Sequence, residues 1–246
     1  MNAGAPRVAL VTGAGRRVGA VVARGLAARG WAVVVHYRSS RADAEATVAA
    51  ITSAGGRAAL VQADQRDEAQ VVRAVAEAAA AFGRLDALVN SASDFPRDDV
   101  ETLDADAFVD VLRTNVVGPF LFAREAAPYL RRSGDGRIVM LGDIYEDRPL
   151  GGRLAYSASK AALASVVKSL ARAYAPGIAV NAVSPGLVLP PPDADAAALD
   201  AVVRRTPTKR RGTPEDVLAA VAFFLEGPSQ IVGQTLRVDG GRTLMP

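Results

Sequence analysis

Short apolar runs alternate with longer stretches of helical spacing along this chain. Val8-Ala9-Leu10-Val11 is wholly apolar and stops at Thr12-Gly13, the pattern of a strand buried on both faces. A helix is predicted from about Arg16 to Arg29, with Val18, Val21, Val22 and Leu26 at helical spacing and Gly30 closing it. The alternation continues through strands at 31–36, 58–62 and 85–90, with helices at 41–54 and 68–82 between them. A long helical pattern covers 104–131, with a bend expected near Gly118-Pro119. A strand at 137–141 follows, then a helix at 154–175 with Leu163, Val167 and Leu170 on its apolar face, and a strand at 178–183. Pro190 to Arg211 opens with three prolines and reads as an excursion from the core. Thr213-Pro214-Glu215 starts a helix to about Leu225, with threonine as N-cap and proline at the first helical position. Leu236 to Val238 is a last short strand. Regular alternation with no tandem repeat and no linker predicts one α/β domain over 1–246, a doubly wound parallel sheet with helices on both faces.

Composition narrows the function classes. Lys and Arg number 29 against 26 Asp and Glu, and the two signs are interspersed with no basic block. That argues for a solvated surface and against a nucleic-acid or membrane partner. The chain has no cysteine, so a disulfide framework and a cysteine metal site are excluded, and no metal is expected. Residues 1–6 lack a signal-peptide pattern and Val8–Val11 is too short to span a bilayer, so a soluble cytoplasmic protein is expected.

The candidate chemistry starts at Tyr156-Ser157-Ala158-Ser159-Lys160. Residues four apart lie on one helix face, where an ammonium can stabilise a phenolate and lower the tyrosine pKa. Lysine occurs only at 160, 168 and 209 in a chain that otherwise takes its positive charge from arginine. Arginine is a poor proton-relay partner, so a lysine here is informative. Between the first strand and first helix, Gly13, Gly15 and Gly19 bracket Arg16, Arg17 and Val18. Such a turn presents backbone N–H groups and a helix N-terminus to a pyrophosphate; a tight turn without a ligand is the bland alternative. The second strand ends in His36-Tyr37-Arg38-Ser39, with no acid before Asp43. An NAD site places an acid there for the ribose 2′-hydroxyl, so NADPH is expected. His36 either contacts the phosphate or packs beneath the loop. Asp64, followed by Gln65, either meets the adenine or is an ordinary loop acid.

Taken in order, Thr12-Gly13 through Gly19, Asn90-Ser91-Ala92, Asn115, Tyr156-x-x-x-Lys160, Ser184-Pro185-Gly186 and Val238-Asp239-Gly240-Gly241 resemble the short-chain dehydrogenase/reductase family over nearly the whole chain. The resemblance implies a single Rossmann-type domain with a seven-stranded parallel sheet. It also implies a homotetramer built through the helices at 104–131 and 154–175, and a substrate lid at 187–211. By the same resemblance Tyr156 is the proton donor, Lys160 contacts the nicotinamide ribose, Asn115 positions a relay water, and Pro185, Gly186 and Leu187 border coenzyme and substrate.

The departures from the family narrow the subgroup. Arg17 stands where most members have glycine, Ser93 ends the Asn90-Ser91-Ala92-Ser93 loop, and Asp143 takes the place of the usual serine. A serine hydroxyl donates to a carbonyl, and an ionised aspartate cannot. Together with His36-Tyr37-Arg38-Ser39 and Phe95, this set resembles the pteridine reductases and the related dihydromonapterin/dihydrofolate reductases. That resemblance implies catalysis by Asp143, Tyr156, Lys160 and Asn115 on a pterin or folate stacked on Phe95, with Arg17 and Ser93 touching both coenzyme phosphate and substrate. Phe95 is otherwise a loop anchor. Tyr145, Leu189 and Pro190 are further candidates for the pocket wall. The alternative from the same family is a carbonyl reductase of the 3-ketoacyl type.

Overall fold

The structure is a computed structural model that describes residues 5–190 and 195–245. Seven parallel strands form one sheet in the order β3-β2-β1-β4-β5-β6-β7, as the alternating pattern predicts. They are β1 (Val8–Val11), β2 (Ala32–Tyr37), β3 (Arg57–Gln62), β4 (Ala87–Asn90), β5 (Gly136–Leu141), β6 (Ile178–Pro185) and β7 (Thr235–Val238). Every residue of β1, β2, β4 and β5 is buried, which is why these runs show no polar alternation.

Helices cover both faces. On one side α3 (Glu68–Phe82), α5 (Gly118–Arg132) and α6 (Leu154–Tyr174) pack Val71, Phe122, Leu130, Leu163 and Val167 against Leu10, Leu88 and Ile138 of the sheet. On the other, α1 (Arg17–Ala28), α2 (Arg41–Ser53) and α8 (Pro214–Glu226) pack Val22, Leu26, Ile51, Val217 and Phe224 against Val33, Val89 and Val139. Burying each such side chain contributes roughly 1.5–3 kcal/mol. α8 begins with the predicted Thr213 cap, and Thr213 and Asp216 close a reciprocal capping box.

The long helical pattern at 104–131 is not one helix. α4 (Ala105–Leu112) passes through a π-helical turn, Arg113–Val117, into α5. Pro119 lacks an N–H and leaves carbonyls of the preceding turn without their usual donor. Gln65 Nε2 donates to one of them, the carbonyl of Thr114, at 2.7 Å. The excursion at 190–211 contains a helix, α7 (Ala196–Arg205), that its mixed polarity concealed. Residues 191–194 of the expected lid lie outside the described residues.

Strand order reverses on either side of β1, whose neighbours are β2 and β4. In open parallel sheets, ligands bind beyond the carboxyl ends of the strands at such a switch point. Those ends deliver Gly13, Arg38, Asp64, Ser91, Asp143 and Gly186 to one crevice.

Candidate active site

Tyr156 and Lys160 stand one turn apart near the start of α6, and both are buried. The Tyr156 hydroxyl donates to Asp143 Oδ2 at 2.7 Å. Asp143 Oδ1 accepts the amide of Tyr145 at 3.0 Å, so the carboxylate caps its own short turn and is aimed by it. Burial raises the Asp143 carboxyl above the usual carboxylate range. Burial, and then the Asp143 charge and hydrogen bond, push the Tyr156 phenol well above its ordinary value. Lys160 Nζ donates to the carbonyl of Leu141 at 2.9 Å, and burial lowers its pKa to about 8. In this arrangement the tyrosine is a neutral donor held to an acid.

Asn115 lies in the π-helical turn. Its Oδ1 accepts from Ser93 Oγ at 3.0 Å and from Asp94 N at 2.8 Å. Its Nδ2 donates to Asp94 O at 2.9 Å and to Ser159 Oγ at 3.0 Å. A carboxamide has two donor hydrogens and two acceptor lone pairs, so this side chain is saturated. The Asn115 side chain is thus a tether that joins the β4 loop to α6. Ser93 gives its single hydrogen to Asn115, which leaves only its lone pairs for a ligand. Phe95 is 37% exposed and meets Tyr156 edge to face at 4.4 Å between centroids.

On the coenzyme side, Gly13 has φ +63, and a Cβ there would meet Ala92 Cα at 2.8 Å. A Cβ on Gly19 would meet the Gly13 carbonyl oxygen at 2.4 Å. The loop thus needs glycine at both positions, once for conformation and once for close approach. α1 has no side-chain cap at Arg16 and no acid in its first turn. Its amides and its positive end stay available for a pyrophosphate, so these residues fit a dinucleotide. Val18 is half-buried behind the turn. Thr12 Oγ1 accepts the amides of Ser91 and Ala92 at 3.0 and 3.1 Å and ties the two loops together. Asn90 is buried, with Nδ2 donating to Pro119 O at 3.3 Å.

Several expected contacts are made by other means. His36 is 2% exposed, so its side chain is no phosphate ligand. Its Nδ1 accepts the Gly13 amide at 3.2 Å and Nε2 lies 3.0 Å from the Ala63 carbonyl, which fixes a neutral ring that shapes the loop from beneath. Tyr37 is buried in the core on the α1 side. Gln65 is also buried, and its amide braces the π-helical turn, so its side chain is corrected from ligand contact to support. Asp64 pairs with Arg66 at 2.6 Å, a bond that holds its carboxyl below the usual range. Arg38 and Ser39 are exposed beyond β2, with Arg38 Nη1 3.8 Å from Asp94. Arg16 is exposed, 3.5 Å from Asp43. Arg17 takes φ 54 and donates to the carbonyls of Leu189 and Pro190, joining the phosphate loop to the start of the lid. Gly186 packs against Asp239, where a Cβ would meet Cα at 2.9 Å, and the half-buried Pro185 and Leu187 flank it.

A doubly wound parallel sheet, a glycine turn on an uncapped helix and a buried tyrosine–lysine pair define a nicotinamide-dinucleotide oxidoreductase. The family profile described as Enoyl-(Acyl carrier protein) reductase matches residues 13–243. A 3-oxoacyl-[acyl-carrier-protein] reductase of Synechocystis is 34% identical, covering 99% of this chain and 100% of the relative. A 3beta-hydroxysteroid dehydrogenase of Eggerthella lenta is 38% identical, covering 98% and 95%. A short-chain dehydrogenase of Burkholderia cenocepacia, solved in complex with NADP, is 40% identical with a TM-score of 0.89, covering 96% of this chain and 98% of that one. The chain belongs to the short-chain dehydrogenase/reductase family. These two curated relatives are named for carbonyl or hydroxyl chemistry and not for pterins, so the subgroup expected from Arg17, Ser93, Phe95 and Asp143 finds no support in their names.

Proposed function

We propose that this oxidoreductase uses NADPH to reduce a pterin-type heterocycle, either a pterin, a dihydropterin or dihydrofolate. The observation that carries the reading is the 2.7 Å bond from the Tyr156 hydroxyl to Asp143. A ketone site needs donors aimed at an oxygen. Here the second polar group beside the tyrosine is an acceptor, which suits the amino and ring N–H groups of a pterin. The bound dinucleotide supplies a hydride. Tyr156 would give its proton to the neighbouring ring nitrogen and regain one from solvent, while Asp143 remains the acceptor that orients the phenol and the substrate N–H groups. Lys160 would hold the nicotinamide ribose, and Phe95, partly exposed beside Tyr156, offers an aromatic surface for a flat ring. Arg38 and Ser39 support NADPH over NADH, because no acid stands between Tyr37 and Asp43. Residues 187–190 and 195–211 would form a cover over the substrate. Phe120, exposed on α5, supports a homotetramer built through α5 and α6.

The relatives favour a second reading, a carbonyl reductase of the 3-ketoacyl type. One assay separates the two. NADPH absorbance is followed with dihydrobiopterin, dihydrofolate, a 3-ketoacyl thioester and small ketones. Turnover on the first two alone supports pterin reduction, and turnover on ketones with none on pterins overturns it. Asp143→Ser is expected to lose pterin turnover and to gain ketone turnover.

A further inference from the structure

The helix that carries Tyr156 begins without a cap of its own. Arg153 occupies the N-cap position of α6 and makes no side-chain cap bond. The first helical amides are satisfied from far away in the chain. Asp98 Oδ1 accepts the Leu154 amide at 2.8 Å, and Oδ2 accepts the Ala155 amide at 2.9 Å. The Asp98 amide in turn donates to Gly152 O at 3.0 Å. Both carboxylate oxygens of one loop residue thus hold the two amides immediately before Tyr156.

The brace also runs in the opposite direction. Arg153 Nη1 donates to the Phe95 carbonyl at 2.7 Å, and its guanidinium lies 4.0 Å from the centre of the Phe95 ring. Phe95 rests against Tyr156. Loop 95–98 and the first turn of α6 therefore grip each other through two side chains, one reaching each way. Tyr156 is at the third position of α6, where an uncapped helix frays. A small displacement of a proton donor costs far more rate than stability.

We propose that Asp98 is a positioning residue for Tyr156, with Arg153 as its reciprocal partner on Phe95. Asp98 touches neither Asp143 nor Lys160 and acts by fixing the turn from which the phenol projects. The proposal rests on the reductase reading only for its kinetic consequence; the structural part stands apart from it.

The test pairs two readouts on Asp98→Ala and Asp98→Asn in the full chain. Hydrogen exchange over the peptide containing Leu154 and Ala155 is expected to accelerate about ten-fold in the alanine variant and less in asparagine, which keeps one acceptor oxygen. Unchanged exchange in both variants overturns the proposal whatever the substrate proves to be. In turnover, Asp98→Ala is expected to lower kcat by about ten-fold or more while the KM for NADPH stays within about two-fold. Added to Tyr156→Phe, it should cause no further loss, because its effect passes through the phenol. An equal loss in both backgrounds overturns the positioning role. Arg153→Met, which leaves the Asp98 bonds in place, is expected to spare exchange at Leu154 and Ala155 and to raise the KM for the ring-bearing substrate. If no turnover is found on pterins or ketones, it is the substrate reading that fails, and the exchange result decides the proposal alone.

Discussion

His36 is the single histidine of the chain, so its titration can be followed without assignment. It is buried beneath the phosphate loop, where desolvation holds the imidazole down to about 4 from an ordinary 6.5. In the unfolded chain the ring takes a proton near pH 6.5; in the fold it stays neutral until about 4. The unfolded state therefore binds more protons between these values, and stability falls as pH drops through that window. At about 1.4 kcal/mol per pH unit the full loss is about 3 kcal/mol, with about 2 kcal/mol gone by pH 5. A protonated Nδ1 cannot accept the Gly13 amide, so within the folded protein the coenzyme loop loosens only as pH falls through about 4. Urea unfolding at about pH 7.5, 6 and 5 measures the loss, with His36→Gln as the control that does not titrate. The variant should be less stable at pH 7.5 and should lose about 2 kcal/mol less than the parent on acidification to pH 5. Equal losses in the two proteins, or a histidine ring resonance titrating near 6.5, would refute the reasoning.

Four further outcomes are expected. Arg17 sits at φ 54, so Arg17→Gly should be more stable than Arg17→Ala by about 1 kcal/mol in urea unfolding, since both lose the guanidinium and only alanine retains the backbone strain. Gly13→Ala drives a Cβ into Ala92 and should weaken NADPH binding by more than about ten-fold, read by nucleotide fluorescence titration. Asp94→Asn frees Arg38 from a pair 3.8 Å long and half-exposed on both sides, so NADPH affinity should rise by at most about five-fold while NADH affinity stays constant. Asp143→Asn should lower kcat by about a hundred-fold or more on the native substrate with NADPH affinity retained, measured by steady-state kinetics beside the same titration.

What the sequence made legible was local. Wholly apolar strands, the close approach of Gly19 to Gly13 and the helical pairing of Tyr156 with Lys160 are set by nearby residues, and each is found as expected. Side chains whose roles depend on distant partners were misjudged or missed. His36 reads either as a phosphate ligand or as a strand-end residue packed beneath the loop, and only burial decides for the second, because β2 is an interior strand whose last positions are still covered. Gln65 and Asn115 carry polar groups beside the crevice, but the Gln65 amide nitrogen is taken by the Thr114 carbonyl and the Asn115 carboxamide by Ser93, Asp94 and Ser159, all distant in the chain. Asp98 gives no signal at all, because the amides it holds are 56 and 57 residues away. Thr12 was legible as part of a motif, but its grip on the β4 loop was not.

The wide turn at Arg113–Val117 restricts how this chain can diverge. An α-helix advances about 100° per residue, so α4 and α5 are out of phase with each other across the turn. Excising one residue to restore an unbroken helix would swing Phe122, Ala126 and Leu130 off the sheet by about that angle, or else carry Asn115 away from Ser159. Inserting one would do the same in the opposite sense. The stretch 105–132 is thus closed to change in length and open only to substitution, whereas the exposed turn at Gly134 and Asp135 can absorb insertions freely. Among homologous chains, a gap falling within 105–132 would mark a protein that has rebuilt the joint between Asn115 and α6, not one that has merely drifted.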